Sequence, residues 1–189
     1  DHGDGFLQYP ARTDFEPSDL DLLTLTVRNG RDGTWFEATF ANPAVFGMLP
    51  DGVKAKASEI ANGGSSSFNG LSIDAIPAYN TTEGRLQFHP EGRDNGYVLG
   101  FDGFRVYISG DTEDIPEMRA LEDIGLAFIC MNLPFTMSAE QAASAVAEFK
   151  PKFVYPYHYR GRDDGTQDPE EFARLVGEAA EVKLHDWYG

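Results

Sequence analysis

The chain is predicted to fold as a layered α/β protein organised around one sheet. Runs rich in β-branched and aromatic residues alternate with helix-like stretches, tight hairpin signals fall between them, and two chemistry-bearing side chains stand where strands end. Its 189 residues suit one domain, or one domain with a small appendage. With 41% hydrophobic and 13% aromatic residues, the chain has ample material for a packed core.

Taken in order, residues 20–27 alternate loosely, Asn29-Gly30-Arg31-Asp32-Gly33 supplies turn chemistry, and residues 34–40 are aromatic and β-branched. That pattern predicts a β-hairpin, which is marginal alone and must pack on something else. Residues 43–49 read as a short helix started by Pro43, residues 56–60 as a strand, and Asn62-Gly63-Gly64-Ser65-Ser66-Ser67 as a turn. Leu71-Ser72-Ile73-Asp74-Ala75-Ile76 alternates as a half-buried strand does. A polar loop over 79–95 carries His89 and leads into strands 96–101 and 104–108, joined by the two-residue turn Asp102-Gly103. Residues 116–121 and 138–149 read as helices, the second capped by Ser138. Strand 153–155 ends near His158, a helix follows Asp168-Pro169 to about residue 179, and 182–184 form a last short strand.

A formal charge of −16 and a pI near 4.4 argue against nucleic acid and anionic membrane surfaces, where the phosphate interaction would be repulsive. No run of eighteen apolar residues marks a spanning helix. The expected partner is a small-molecule substrate, with neither nucleic acid nor membrane. Asp1-His2-Gly3-Asp4-Gly5 has neither an initiator Met nor a signal-like pattern, so a leader has been removed or the chain is a fragment. The single Cys130 excludes intramolecular disulfides and Cys-based zinc clusters. It lies in the apolar run Ala127-Phe128-Ile129-Cys130-Met131 and reads as an inert core thiol.

Three residues carry the candidate chemistry. Asp111, in Ser109-Gly110-Asp111-Thr112, leaves the end of a strand through a glycine-made turn. A carboxylate there can bridge divalent ions and hold water near a Lewis acid, or it can simply stabilise its own turn. His158, in Tyr155-Pro156-Tyr157-His158-Tyr159-Arg160-Gly161, ends another strand; it is a metal ligand or a buried histidine satisfied by a carbonyl. His89, in Phe88-His89-Pro90-Glu91-Gly92, sits in a polar loop. Together they place two imidazoles and a carboxylate at strand ends or in loops, where metal sites are built. Glu113, Asp114 and Glu117 read as an acidic cluster complementing a helix dipole, and terminal His185 as a packing or surface residue.

Residues 41–189 resemble the later part of a metallo-β-lactamase superfamily metal-dependent hydrolase, of the ascorbate-6-phosphate-lactonase-like branch. The resembling stretches are Ala41-Asn42-Pro43-Ala44-Val45, Pro77-Ala78-Tyr79-Asn80-Thr81-Thr82, Phe88-His89-Pro90-Glu91-Gly92, Asn95-Gly96-Tyr97-Val98, residues 107–117, Met131-Asn132-Leu133-Pro134 and residues 155–161. The resemblance implies an αββα sandwich, present here in part, with an N-terminal β-hairpin segment. It implies one or two divalent metal ions, usually zinc, and a metal-bound hydroxide that attacks an ester, lactone, amide or phosphoester. By it His89 binds one metal, Asp111 bridges as the catalytic carboxylate, and His158 binds the other.

The family's H-x-H-x-D-H cluster is missing. Asp1-His2-Gly3-Asp4-Gly5 resembles the tail of that motif, with Gly5 where its last His belongs. Residues 1–40 instead resemble a segment of a glucodextranase-type β-domain, through Gly3-Asp4-Gly5, Leu7-Gln8-Tyr9-Pro10 and residues 15–22. That divides the chain into a hairpin segment of different origin, 1–40, and a hydrolase domain, 41–189. The expected function is a metal-dependent hydrolase; the alternative is a non-catalytic remnant or binding module with an incomplete metal site. A third reading, from residues 1–40 alone, is an extracellular carbohydrate-associated β module. Absence of disulfides points to the cytoplasm and the N-terminal segment to export. Loss of the first strands would leave a sheet edge open to homo-oligomerisation.

Overall fold

Residues 22–30, 33–40, 60–68 and 70–187 are described by the structure, a computed structural model; of residues 22–40 only the backbone course is given. The expected hairpin is present as β1 (Leu22–Gly30) and β2 (Gly33–Phe40), antiparallel and closed where Gly30 faces Gly33. It forms its own two-stranded sheet. The helix expected over 43–49 and most of the strand expected over 56–60 lie outside the described residues, as do His2 and Asp4; Ile60 itself is not in a strand.

Seven strands make the second sheet, in sequence order. They are β3 (Ser65–Phe68), β4 (Leu71–Ala78), β5 (Asp94–Phe101), β6 (Phe104–Ile108), β7 (Leu126–Cys130), β8 (Phe153–Tyr157) and β9 (Glu181–Val182). From β3 to β6 the pairs are antiparallel, and from β6 to β9 parallel. The change follows from the connections: Asp102-Gly103, both at positive φ, turn the chain back in two residues, whereas later strands are joined through helices. Those helices are α1 (Pro116–Arg119), α2 (Ala139–Phe149) and α3 (Pro169–Val176).

Local chemistry sets the helix ends. Ser138 and Gln141 form a reciprocal capping box at the start of α2, and left-handed Lys150 ends it. Asp168 caps α3 by accepting from the Glu170 amide, with Pro169 in its first turn. α3 stops at Val176, short of residue 179, because Gly177 turns to positive φ and a 3₁₀ turn follows. α1 likewise ends at Arg119, two residues before the expected limit.

The main core lies between the helices and one sheet face. Val98, Tyr107, Ala127, Ile129 and Val154 from alternate strand positions meet Met118, Ala142, Val146, Phe149 and Phe172. On the other face Ile73, Ala75 and Tyr97 form a smaller cluster, and Phe128 stacks on Tyr155 with Trp187 edge-on to both. One expected turn is corrected. Ser65, Ser66 and Ser67 belong to β3, where pairing with β4 overrides a serine-rich composition, and Ser65 Oγ donates to Asp74 at 2.7 Å. Among the described residues no helix is long and apolar enough to cross a membrane.

Candidate functional site

The parallel strands β6 and β8 deliver Asp111 and His158 from neighbouring ends of the sheet, on either side of β7. Asp111 leaves β6 through Ser109-Gly110, and Gly110 has φ +64. A Cβ on Gly110 would stand 2.6 Å from the Asn95 carbonyl, and one on Gly96 2.5 Å from the Ser109 carbonyl. The Asp111 turn and the start of β5 therefore touch backbone to backbone, a contact only glycine permits.

Asp111 Oδ1 is 2.9 Å from His158 Nδ1, and its Oδ2 is 3.7 Å from His89 Nε2. All three predicted residues are thus brought together around one carboxylate. Burial works to raise the Asp111 pKa, but the His158 hydrogen bond and charge, then His89 and Arg93, outweigh it and hold it below the usual carboxylate range.

His89 is buried, and its Nδ1 lies 3.0 Å from Asp94 Oδ2. Arg93 grips the same carboxylate with Nε at 2.7 Å and a terminal nitrogen at 2.6 Å, and it also donates to the Phe88 carbonyl. With Nδ1 engaged by a carboxylate, the imidazole turns Nε2 toward Asp111, the arrangement that orients metal-ligating histidines. Burial pushes the Asp94 pKa up, yet bonds from His89 and Arg93 bring it below its ordinary value. Sequence reading missed Asp94; the available signal was a carboxylate five residues after His89, opening a strand.

His158 stands at φ +48, a left-handed conformation that costs a β-carbon-bearing residue energy and clusters at functional sites. Its loop is fastened to the segment after β7. Leu133 N donates to Gly165 O at 2.9 Å and Arg162 N to Leu133 O at 3.1 Å. A Cβ on Gly165 would lie 1.9 Å from the Leu133 carbonyl. A hollow of about 590 Å³ beside His158 is lined by Ile108, Phe128, Tyr157 and Trp187.

The acidic cluster needs a correction. Glu113 is fully buried, and its Oε2 accepts from the amides and hydroxyls of both Thr81 and Thr82, at 2.7–2.9 Å. Its Oε1 meets Arg85 Nε at 2.9 Å. It is an internal anchor rather than a dipole-complementing surface acid. Asp114 pairs with Arg119, while Glu117 stands in the first turn of α1, as the dipole reading expects, and also accepts from the Tyr79 hydroxyl. His185 packs edge-on to Trp187, away from the site's hydrogen bonds, and Cys130 is buried with its thiol pushed up to about 12, first by burial and then by Asp111.

Two imidazoles and one carboxylate fit a single divalent cation in kind and number, the set typical of an open catalytic site. The direct His158–Asp111 hydrogen bond occupies the donors that would face such an ion. Among the described residues no three His, Cys, Asp or Glu side chains are already spread about a common point at ligand distance, and donors for a second ion are not found.

Known proteins bear on the family and the fold. Residues 18–159 match a family model described as a beta-lactamase superfamily domain, so the match takes in part of the segment before residue 41. A UPF0173 metal-dependent hydrolase of Thermococcus kodakarensis is 35% identical over 140 residues, which are 70% of this chain and 62% of the relative. A protein of Parabacteroides distasonis known from its crystal structure is 44% identical with a TM-score of 0.67, over 77% of this chain and 62% of that one. A Bacillus subtilis metallo-beta-lactamase fold protein, 12% identical, shares the fold alone at a TM-score of 0.60, over 77% of this chain and 59% of that one. The chain spans about three fifths of the length of these relatives.

Proposed function

This chain belongs to the beta-lactamase superfamily, and on that premise we propose that it carries the histidine–aspartate part of a metal-dependent hydrolase site acting on an ester, lactone or phosphoester. The observation that supports the reading best is the Asp111 carboxylate set between His158 Nδ1 and His89 Nε2. His89, Asp111 and His158 would hold one divalent cation, with zinc the best match to a nitrogen-rich donor set. Bound there, the ion supplies a Lewis acid that polarises the scissile group and brings the pKa of water to about 7.

The protein's own groups prepare that chemistry. The Asp94–Arg93 pair holds His89 in one orientation and one tautomer. Asp111 stays ionised at neutral pH, so it can accept a proton or a hydrogen bond at Oδ2. Strained His158, half-exposed, is the more accessible member of the set. The apolar hollow beside it would shelter part of a small-molecule substrate.

Elemental mass spectrometry on freshly purified protein, alongside His158→Ala, tests the reading. Near-stoichiometric zinc, manganese or iron, lost in the variant, is expected. No bound metal, or metal indifferent to His158, would refute it. That no three His, Cys, Asp or Glu side chains among the described residues are grouped to hold a metal ion favours a second reading, a binding module or non-catalytic remnant with an incomplete site. Stoichiometric metal with no turnover across a lactone and phosphodiester screen would favour that one.

A further inference from the structure

We propose that the buried Glu113–Arg85 ion pair is a positioning hub that fixes His89, Asp111 and His158 relative to one another. None of the hydrogen bonds made by Glu113 or Arg85 goes to those three residues. Three arms lead outward from the pair instead.

The first arm reaches Asp111, two residues before Glu113. Glu113 N donates to Tyr79 O at 3.0 Å, and Thr112 Oγ1 lies 3.0 Å from both Tyr79 N and Tyr79 O, so the Asp111 turn is stitched to the end of β4. The second reaches His89. Glu113 Oε2 gathers Thr81 and Thr82, and next to them Asn80 N donates to the His89 carbonyl at 2.8 Å while Asn80 Nδ2 donates to Arg85 O.

The third arm reaches His158. Arg85 donates to Thr136 O at 2.8 Å, and the Thr136 hydroxyl bonds Asn132 Oδ1 at 2.8 Å. Asn132 bridges to Thr166 and Leu133 to Gly165, and Gln167 N donates to Tyr159 O at 2.8 Å, beside His158. Each step is a hydrogen bond or a peptide link.

An anion suits the hub because one oxygen accepts four donors at once, which a neutral side chain does poorly. A buried pair of this kind is better at specifying one arrangement than at adding stability. Glu113 would therefore act through geometry, as a positioning residue.

The test compares the full chain with Glu113→Gln and with the milder Thr82→Val, which removes one hydroxyl and keeps the amide. Arg174→Ala, in an exposed pair with Glu171, sets the baseline. Nitrogen-15 imidazole resonances of His89 and His158 are read in metal-free protein, and zinc affinity by competition with a chromophoric chelator; circular dichroism verifies folding. Both variants are expected to move both imidazole signals and to weaken zinc about tenfold or more, the size seen for outer-shell partners. Arg174→Ala should move neither.

A folded Glu113→Gln with wild-type imidazole signals would overturn the proposal. Should that variant not fold, Thr82→Val decides on the same signals. The zinc readout alone rests on the hydrolase reading: a wild-type chain that takes no zinc would sink that reading, while the imidazole signals still decide the hub.

Discussion

Replacing Asp94 by Asn would remove the charge that holds His89 and leave a side chain of the same shape. The Asp94 carboxylate is almost wholly buried and takes three bonds, one from His89 at 3.0 Å and two from Arg93 at 2.7 and 2.6 Å. Removing one partner of a buried pair costs about 3–5 kcal/mol. Arg93, 30% exposed, can recover some water, and the amide oxygen can still accept from His89, so the expected loss is about 2 kcal/mol. For a chain of this size that is roughly 4–8 °C in Tm. The pH dependence has a fixed sign. Because the folded pKa of Asp94 is depressed, its contribution is complete above the unfolded value of about 3.9 and is lost as pH falls through the folded value. Urea unfolding of wild type and Asp94→Asn should therefore show a gap at pH 7 that narrows toward pH 3. A gap below about 0.5 kcal/mol at pH 7, or one that persists unchanged into acid, would show that the carboxylate is not what orients His89.

Other outcomes are expected. Gly110→Ala should cost about 2–4 kcal/mol in urea unfolding, since left-handed strain adds to a backbone clash, whereas Gly84→Ala at φ +85 meets nothing within 4 Å and should cost about 1–2. A water-soluble thiol reagent at pH 8 should label no cysteine in the native chain and one after denaturation, because Cys130 is buried and its thiol pushed up to about 12; fast native labelling would contradict that packing. Among the described residues β3 is an edge strand of the larger sheet, so light scattering at high concentration should show self-association. A monodisperse monomer there would count against it.

Local chemistry made much of the fold legible. Asp102-Gly103 announced the β5–β6 hairpin, Ser138 with Gln141 announced α2, and Asp168-Pro169 announced α3, because each signal is satisfied within a few residues of itself. His89, Asp111 and His158 were legible as types at strand ends and in loops, and the structure sets both imidazoles beside the Asp111 carboxylate, at 3.7 and 2.9 Å. Glu113 was misread because its partners Thr81 and Thr82 lie 32 and 31 residues away, while it is close in sequence to Glu117, which does stand in the first turn of α1. Asp94 was missed for a related reason: a carboxylate opening a strand beside an arginine looks like a surface pair until the fold buries it. The serines of β3 were misassigned because composition cannot foresee a neighbouring strand.

The geometry around Asp111 and His158 is made largely by backbone contact. Asn95-Gly96 and Ser109-Gly110 are distant in sequence, yet each glycine lies where the other segment's carbonyl leaves no room for a Cβ. Leu133 and Gly165 repeat the device beneath the His158 loop, with hydrogen bonds in both directions through Gly165 and Arg162. Such contacts constrain one or two residues apiece, each by leaving no room for a Cβ. The side chains then need only modest help to hold position: Asp94 for His89, the fastened loop for His158, and Glu113 with Arg85 tying the segments together. On this account, stability in urea unfolding should be more sensitive to Gly96→Ala, Gly110→Ala and Gly165→Ala than to alanine at most residues lining the hollow, although none of the three glycines has a side chain of its own.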